Sequence, residues 1–210
     1  MLALTAALSL LPIFAVVATS FAKISIVLLI VRNAIGVQQT PPNQLVYGIA
    51  LLLTYLVMEP VFYSVFNTLS SEAHKINQAS DLPPILLRAS QPIRAFMDRF
   101  SLPENRQAVA DALQTVRAGT GGTAPSTSDF GVLTAAFLIS ELTRAFELGF
   151  ILYLPFLVVD FVVSAILVAL GMQMMSPTVI STPLKLLVFV TAHGWSRLLE
   201  GLLLSYGVKT

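Results

Sequence analysis

Apolar and polar positions alternate along this chain in long blocks. About four apolar runs are separated by short polar breaks and one longer polar segment, and the first is long enough to cross roughly 30 Å of hydrocarbon at about 1.5 Å per helical residue. The first runs from Leu4 to Arg32 with Lys23 inside it. It has no basic residue before Lys23 and exceeds the apolar core of about 7–15 residues of a secretory signal, so a retained first span is expected. A charge at that depth costs roughly 2.5–3.5 kcal/mol, so Lys23 either snorkels to an interface or lies on a helix face turned toward protein. Asn33 to Gln44 is polar, is broken by Gly36 and Pro41-Pro42, and reads as a hairpin tip. The second run, Leu45 to Leu69, is interrupted by Glu59-Pro60. A proline that frees a carbonyl, next to a carboxylate that is costly in lipid, predicts a bend buried against another subunit.

Ser70 to Ser128 differs in kind. Lys75, Arg88, Arg94, Arg99, Arg106 and Arg117 face Glu72, Asp81, Asp98, Glu104 and Asp111 there, a net charge of +1. Ile85, Leu86, Ile93, Phe96, Met97 and Phe100 form one helical stripe after Leu82-Pro83-Pro84. Ser101-Leu102-Pro103-Glu104 carries helix-start signals, and Val109, Ala112, Leu113 and Val116 continue at helical spacing. Ala118 to Asp129, rich in Gly, Ser and Thr, reads as a flexible linker. The segment is a small amphipathic helical insert on one side of a membrane.

Phe130 to Leu154 resumes as helix. In its charged middle Glu141, Arg144 and Glu147 are spaced by three and share a face, the pattern of an interhelical polar contact. Pro155 permits a bend before the third run, which ends at Leu170. The break Gly171-Met172-Gln173-Met174-Met175-Ser176-Pro177 follows, and Thr182-Pro183 introduces a fourth run ending near Tyr206. The expected architecture is all-α, with kinked membrane-type hairpins in three parts: an N-terminal hairpin over 1–69, the insert and linker over 70–128, and a C-terminal hairpin over 129–210.

Composition agrees. The chain is 56% hydrophobic and 11% charged, with mean hydropathy +0.82, against about 45–50% and about 25% in soluble domains. A net charge of +1 gives no signal for nucleic acid, and the absence of Cys excludes disulfides and thiolate chemistry. With two His, no metal-ligand pattern arises; His193 beside Gly194-Trp195 reads as packed or interfacial, and His74 as part of the polar insert. No P-loop, GxSxG or nucleophile–base constellation is present, so neither an enzyme nor a cofactor is expected. Lys and Arg counts taken literally place the insert in the cytoplasm, although it nears the length of about 60 residues at which that rule weakens.

Three of the six Met lie within the short break at 171–177. Met is unbranched and soft, so such a cluster is either an ordinary core or lipid-facing turn, or a closure that reshapes around whatever passes. Asp160 and Lys185 are the main charges of the flanking runs and sit at similar rises from the tip, so they can pair within the hairpin or between neighbouring subunits. Lys23 and Glu59 can pair across the first hairpin. A secondary transporter or ion channel would use Lys23, Glu59, Asp160 and Lys185 as an intramembrane relay, but such proteins usually show internal repeats, and none is evident here.

Four stretches together resemble the FliP/SctR-type inner-membrane export proteins of flagellar and injectisome type III secretion systems. They are Arg32-Asn33-Ala34-Ile35-Gly36 with Gln38 to Gln44; Ala135 to Leu142 with Ala145-Phe146-Glu147-Leu148-Gly149-Phe150; Pro155-Phe156-Leu157-Val158-Val159-Asp160; and Gly171 to Pro177 with Lys185 and Gly194-Trp195. Ser196-Arg197-Leu198-Leu199-Glu200-Gly201 looks more like the injectisome branch. The resemblance implies a homo-oligomer of about five copies, joined by SctS-type and SctT-type proteins into a helical export gate working with SctU-type and SctV-type proteins. Unfolded secreted proteins would be the cargo, moved by the proton-motive force and a separate ATPase. It implies that the assembly starts in the bacterial inner membrane with its lipid and rises above it, with the insert periplasmic. It implies a pore gasket of Met172, Met174 and Met175, where Gln173 interrupts the family's three successive Met, and an intersubunit pair of Asp160 and Lys185.

Overall fold

Every regular element among the described residues is a helix. The computed structural model describes residues 13–14, 16–37, 40–72, 74, 82–118, 124–172 and 174–207. Most of the first span before residue 13, Gln38-Gln39, much of the segment 73–81, linker residues 119–123 and Gln173 lie outside them. The helices are α1 (Phe21–Ile35), α2 (Asn43–Glu72), α3 (Leu82–Ala89), α4 (Gln91–Phe100), α5 (Pro103–Ala118), α6 (Phe130–Ala169), α7 (Pro177–Thr191) and α8 (Gly194–Leu204).

Two of these are long and apolar enough to cross a membrane. The 30 residues of α2 and the 40 of α6 rise about 45 and 60 Å. Both are apolar around most of their circumference, and only 28% and 17% of their most apolar windows are buried within the chain. Leu52, Tyr63 and Phe66 on α2 and Phe150, Phe161 and Val162 on α6 stand exposed. A helix apolar all round requires either a large core or lipid, and this chain does not supply the core.

α6 runs through Pro155, as α2 runs through Pro60, with no break in the helix. Proline removes one backbone hydrogen bond, but in an apolar setting leaving the helix would orphan several more, so the helix persists. The structure departs from the expected segmentation in the fourth run, which is two helices. α7 ends at Thr191, His193 takes a left-handed conformation at φ 53°, and α8 starts at Gly194. Phe189 packs edge-on to Trp195 at 5.3 Å between ring centroids. A Cβ on Gly194 would come within 2.2 Å of the Phe189 ring, so this corner needs a residue without a side chain. Gly194→Ala is expected to cost about 1–3 kcal/mol through displacement of Phe189, seen as a lower midpoint in thermal unfolding of the detergent-solubilised protein; an unchanged midpoint would show that the ring moves freely.

The chain divides into two compact units that cut across the long helices. Unit 1 comprises Met1–Ala22 and Thr54–Thr143. Its core forms where α4 meets the start of α6: Phe96 lies edge-on to Phe137 at 5.7 Å, Met97 is fully buried, and the Thr134 hydroxyl lies 3.7 Å from the Met97 sulfur. Of the stripe expected over the insert, Ile85, Phe96 and Met97 are buried, whereas Leu86 is exposed because the chain turns at Ser90, ahead of Pro92. The start of α5 is not capped by Ser101, whose hydroxyl donates to the Asp98 carbonyl. Instead buried Ser140 of α6 accepts from the Leu102 N–H at 2.9 Å and the Asn105 side-chain amide at 2.8 Å, while donating to the Ala136 carbonyl. Ser140→Ala would strand two donors and is expected to destabilise the insert by about 1–3 kcal/mol. Hydrogen exchange would report it as faster exchange confined to α5; uniform exchange across α5 in both forms would contradict this.

Unit 2 comprises Lys23–Leu53 and Arg144–Thr210. Val27, Leu28 and Val31 of α1, Val46 and Ala50 of α2, Phe156, Val163 and Leu167 of α6, Phe189 of α7 and Leu198 and Leu202 of α8 form its interior. The α1–α2 connection is held by the Arg32 guanidinium, which donates to the Asn43 side-chain carbonyl. These are the two ends of the polar motif that flanks the tip.

A charge-locked hairpin with a methionine tip

The α6–α7 hairpin is built in three steps from the sequence. α6 stops at Gly171, whose positive φ of 73° lets the Met172 N–H reach back to the Leu167 carbonyl at 2.9 Å, a left-handed helix stop. The Met175 N–H then closes a tight turn on the Met172 carbonyl at 3.2 Å. Ser176, extended at ψ 122°, leads into α7 with Pro177 in its first turn, where the missing N–H costs nothing. The result projects an apolar tip outward: Met174 is fully exposed, and Met172 and Met175 are exposed on either side of it.

Below the tip the two arms are joined by charge. Lys185 Nζ lies 2.5 Å from Asp160 Oδ2, with the Lys side chain 8% exposed and the Asp side chain 33%. Ser181, Lys185 and Phe189 follow at successive helical turns and are the buried face of α7. One turn from Asp160 on α6, Phe156 meets Phe189 with ring centroids 6.1 Å apart. The pair therefore closes within one chain, one of the two arrangements that the spacing left open. The second Asp160 oxygen, Oδ1, and the Ser181 hydroxyl are buried and have no hydrogen-bond partner among the described residues. The α1–α2 connection abuts the same place: a Cβ on Gly36 would lie 3.4 Å from the Thr182 hydroxyl and 3.9 Å from Lys185 Nζ.

The other charged positions differ in burial. Lys23 is buried, with Nζ 3.9 Å from the ring centroid of Tyr206, so its charge faces an aromatic ring. Glu141 is fully buried, Arg144 half-buried and Glu147 exposed, grading outward along one stretch of α6. Glu59 is exposed on α2. Ser140 and the Arg32–Asn43 clamp were not readable as contacts. A lone Ser in a helix carries no spacing signal, and the clamp joins residues on opposite sides of a turn.

Long, largely unburied apolar helices with a charge-locked, apolar-tipped hairpin define a helical protein of the membrane type. Comparison with known proteins makes this specific. The model of the FliP family matches residues 4–202. The "Probable translocation protein y4yL" of Sinorhizobium fredii is 43% identical over 206 residues, 98% of this chain and 93% of its own. The "Yop proteins translocation protein R" of Yersinia pestis is 40% identical over 200 residues, 95% of this chain and 92% of its own. The "Flagellar biosynthetic protein FliP" of Cereibacter sphaeroides is 41% identical over 207 residues, 98% of this chain and 66% of its own. The chain belongs to the FliP family, as its motifs imply.

Proposed function

We propose that this protein is a core subunit of the type III secretion export gate in the bacterial inner membrane, and that the tip at Met172, Met174 and Met175 seals the pore through which unfolded proteins pass. The observation that carries the reading is the tip itself: three thioether side chains held out from a defined turn, on a hairpin braced by a half-buried ion pair. Met costs little to rearrange and adapts to varied partners, so a ring of such tips excludes water and ions at rest and yields to passing side chains. Family membership and relatives named as translocation proteins support the same reading.

The gate needs several copies. About five copies of this chain, in a closed or helical arrangement, join SctS-type and SctT-type proteins and work with SctU-type and SctV-type proteins, with the insert on the periplasmic side. The Asp160–Lys185 pair braces each hairpin and so sets the face that the hairpin presents to a neighbouring copy. Glu141, Arg144 and Glu147 supply polar contact between helices, and exposed Glu59 meets a neighbouring subunit. Native mass spectrometry of the detergent-purified protein, alone and co-expressed with the SctS-type and SctT-type proteins, tests this. A discrete oligomer near five copies that grows by added partners is expected, and a monomer indifferent to both partners would contradict it.

A further inference from the structure

Unit 2 carries an apolar recess walled in part by the two arms of the hairpin. One lobe, about 260 Å³, lies between α1, α6, α7 and α8, with Val31, Leu152, Phe156 and Leu198 in its wall. A second lobe, about 170 Å³, continues along α8 past Gly201, and Leu152, Arg197 and Leu198 line both. Each lobe exceeds the roughly 150 Å³ at which an apolar protein cavity takes up benzene. Arg197 is the one charged residue in either lining. It is exposed, and no carboxylate pairs with it among the described residues; Glu200, three residues on, is exposed and outside both linings.

We infer that this recess binds an anionic phospholipid, with an acyl chain along the two lobes and the phosphate on the Arg197 guanidinium. The chemistry matches at both ends. The walls are hydrocarbon, which an acyl chain fills without leaving a polar group unsatisfied. A guanidinium is a planar fork of donors that holds a phosphate bidentately, and its stem lies along apolar surface while its head reaches the polar edge. A peptide segment would bring backbone amides into a wall with no polar partner but Arg197. The inference needs only that the protein lives in a membrane, so it stands or falls separately from the export reading.

Gly201 offers a clean test, because a Cβ added there meets nothing within 4 Å, and replacing Gly within a helix favours the helix. Gly201→Phe should therefore fold and fill the lobe, while Arg197→Gln keeps the shape and removes the charge. The protein is reconstituted in nanodiscs of phosphatidylglycerol and phosphatidylcholine in equal parts, released into detergent, and its retained lipid read by native mass spectrometry. Wild type should retain phosphatidylglycerol over phosphatidylcholine by about tenfold. Arg197→Gln should abolish the preference while still retaining lipid, and Gly201→Phe should retain neither lipid. Equal retention of both lipids by wild type, or retention unchanged in Gly201→Phe, would overturn the assignment. Loss of a dimer mass in the two variants with lipid unchanged would also overturn it, assigning the recess to a second copy of this chain.

Discussion

Replacing Met172, Met174 and Met175 together by Ala is expected to raise ion leakage through the assembled complex about tenfold or more, a change of about 1.4 kcal/mol in the barrier, while secretion continues. What the tip is made of and how it is held decide this outcome. Met174 has its whole side chain in solvent in the single chain, so its truncation removes no contact within the fold. The turn is set by backbone hydrogen bonds, from Met172 to Leu167 and from Met175 to Met172, and by Gly171 and Pro177, none of which needs the thioethers. Folding and assembly should survive, and the loss falls on the seal. Each truncated Met widens the closure by several atoms at a place where the pore must otherwise exclude water. Membrane potential or dye influx in cells carrying the triple variant, scored beside secreted protein, reads both effects. A leak-free triple variant would mean that the tip lines no closure.

The second large effect is expected at the charge pair. Asp160→Ala leaves the Lys185 ammonium, 8% exposed as a side chain, without its counter-charge, and should cost about 3–5 kcal/mol. The lower end applies, because a third of the Asp160 side chain is open to solvent and screening. The outcome is loss of the assembled form, since the braced arms set where the tip sits. Lys185→Met in the Asp160→Ala background removes the orphaned charge and keeps an unbranched apolar stem, so assembly should recover in part. That rescue separates a charge effect from a packing effect. If Asp160→Ala assembles at wild-type yield, the pair is not structural.

Much of this was legible from residue pattern. The blocks of apolar sequence gave α2 and α6, because helices that face lipid on most sides need no amphipathic rhythm and are recognised by length alone. The turn at 171–177 was legible because Gly and Pro bracket it. Asp160 and Lys185 were legible as partners because two isolated charges at similar distances from one tip have few other places to go. Their pairing within the chain was not, since spacing along two arms is the same whether the arms belong to one copy or two. The break at His193 was hidden because apolar residues continue on both sides of it and His193 holds a left-handed conformation that most residues avoid; the clue was Gly194, which a packed aromatic needs. Pro60 and Pro155 read as places where a helix can bend, and both helices carry them without a break. Proline ends helices in water, where freed groups find solvent, and is carried inside them where none is available.

The measurement that meets the central claim most directly is photocrosslinking in secreting cells. A photoreactive residue is placed at position 174, and in a control at position 158, on the exposed side of α6, while a secreted protein is stalled in transit by a folded tag. With the variants assembled and secretion-competent, the account predicts crosslinks from position 174 to the stalled protein and none from position 158. Assembled complexes in which position 174 never crosslinks to the stalled chain would contradict it.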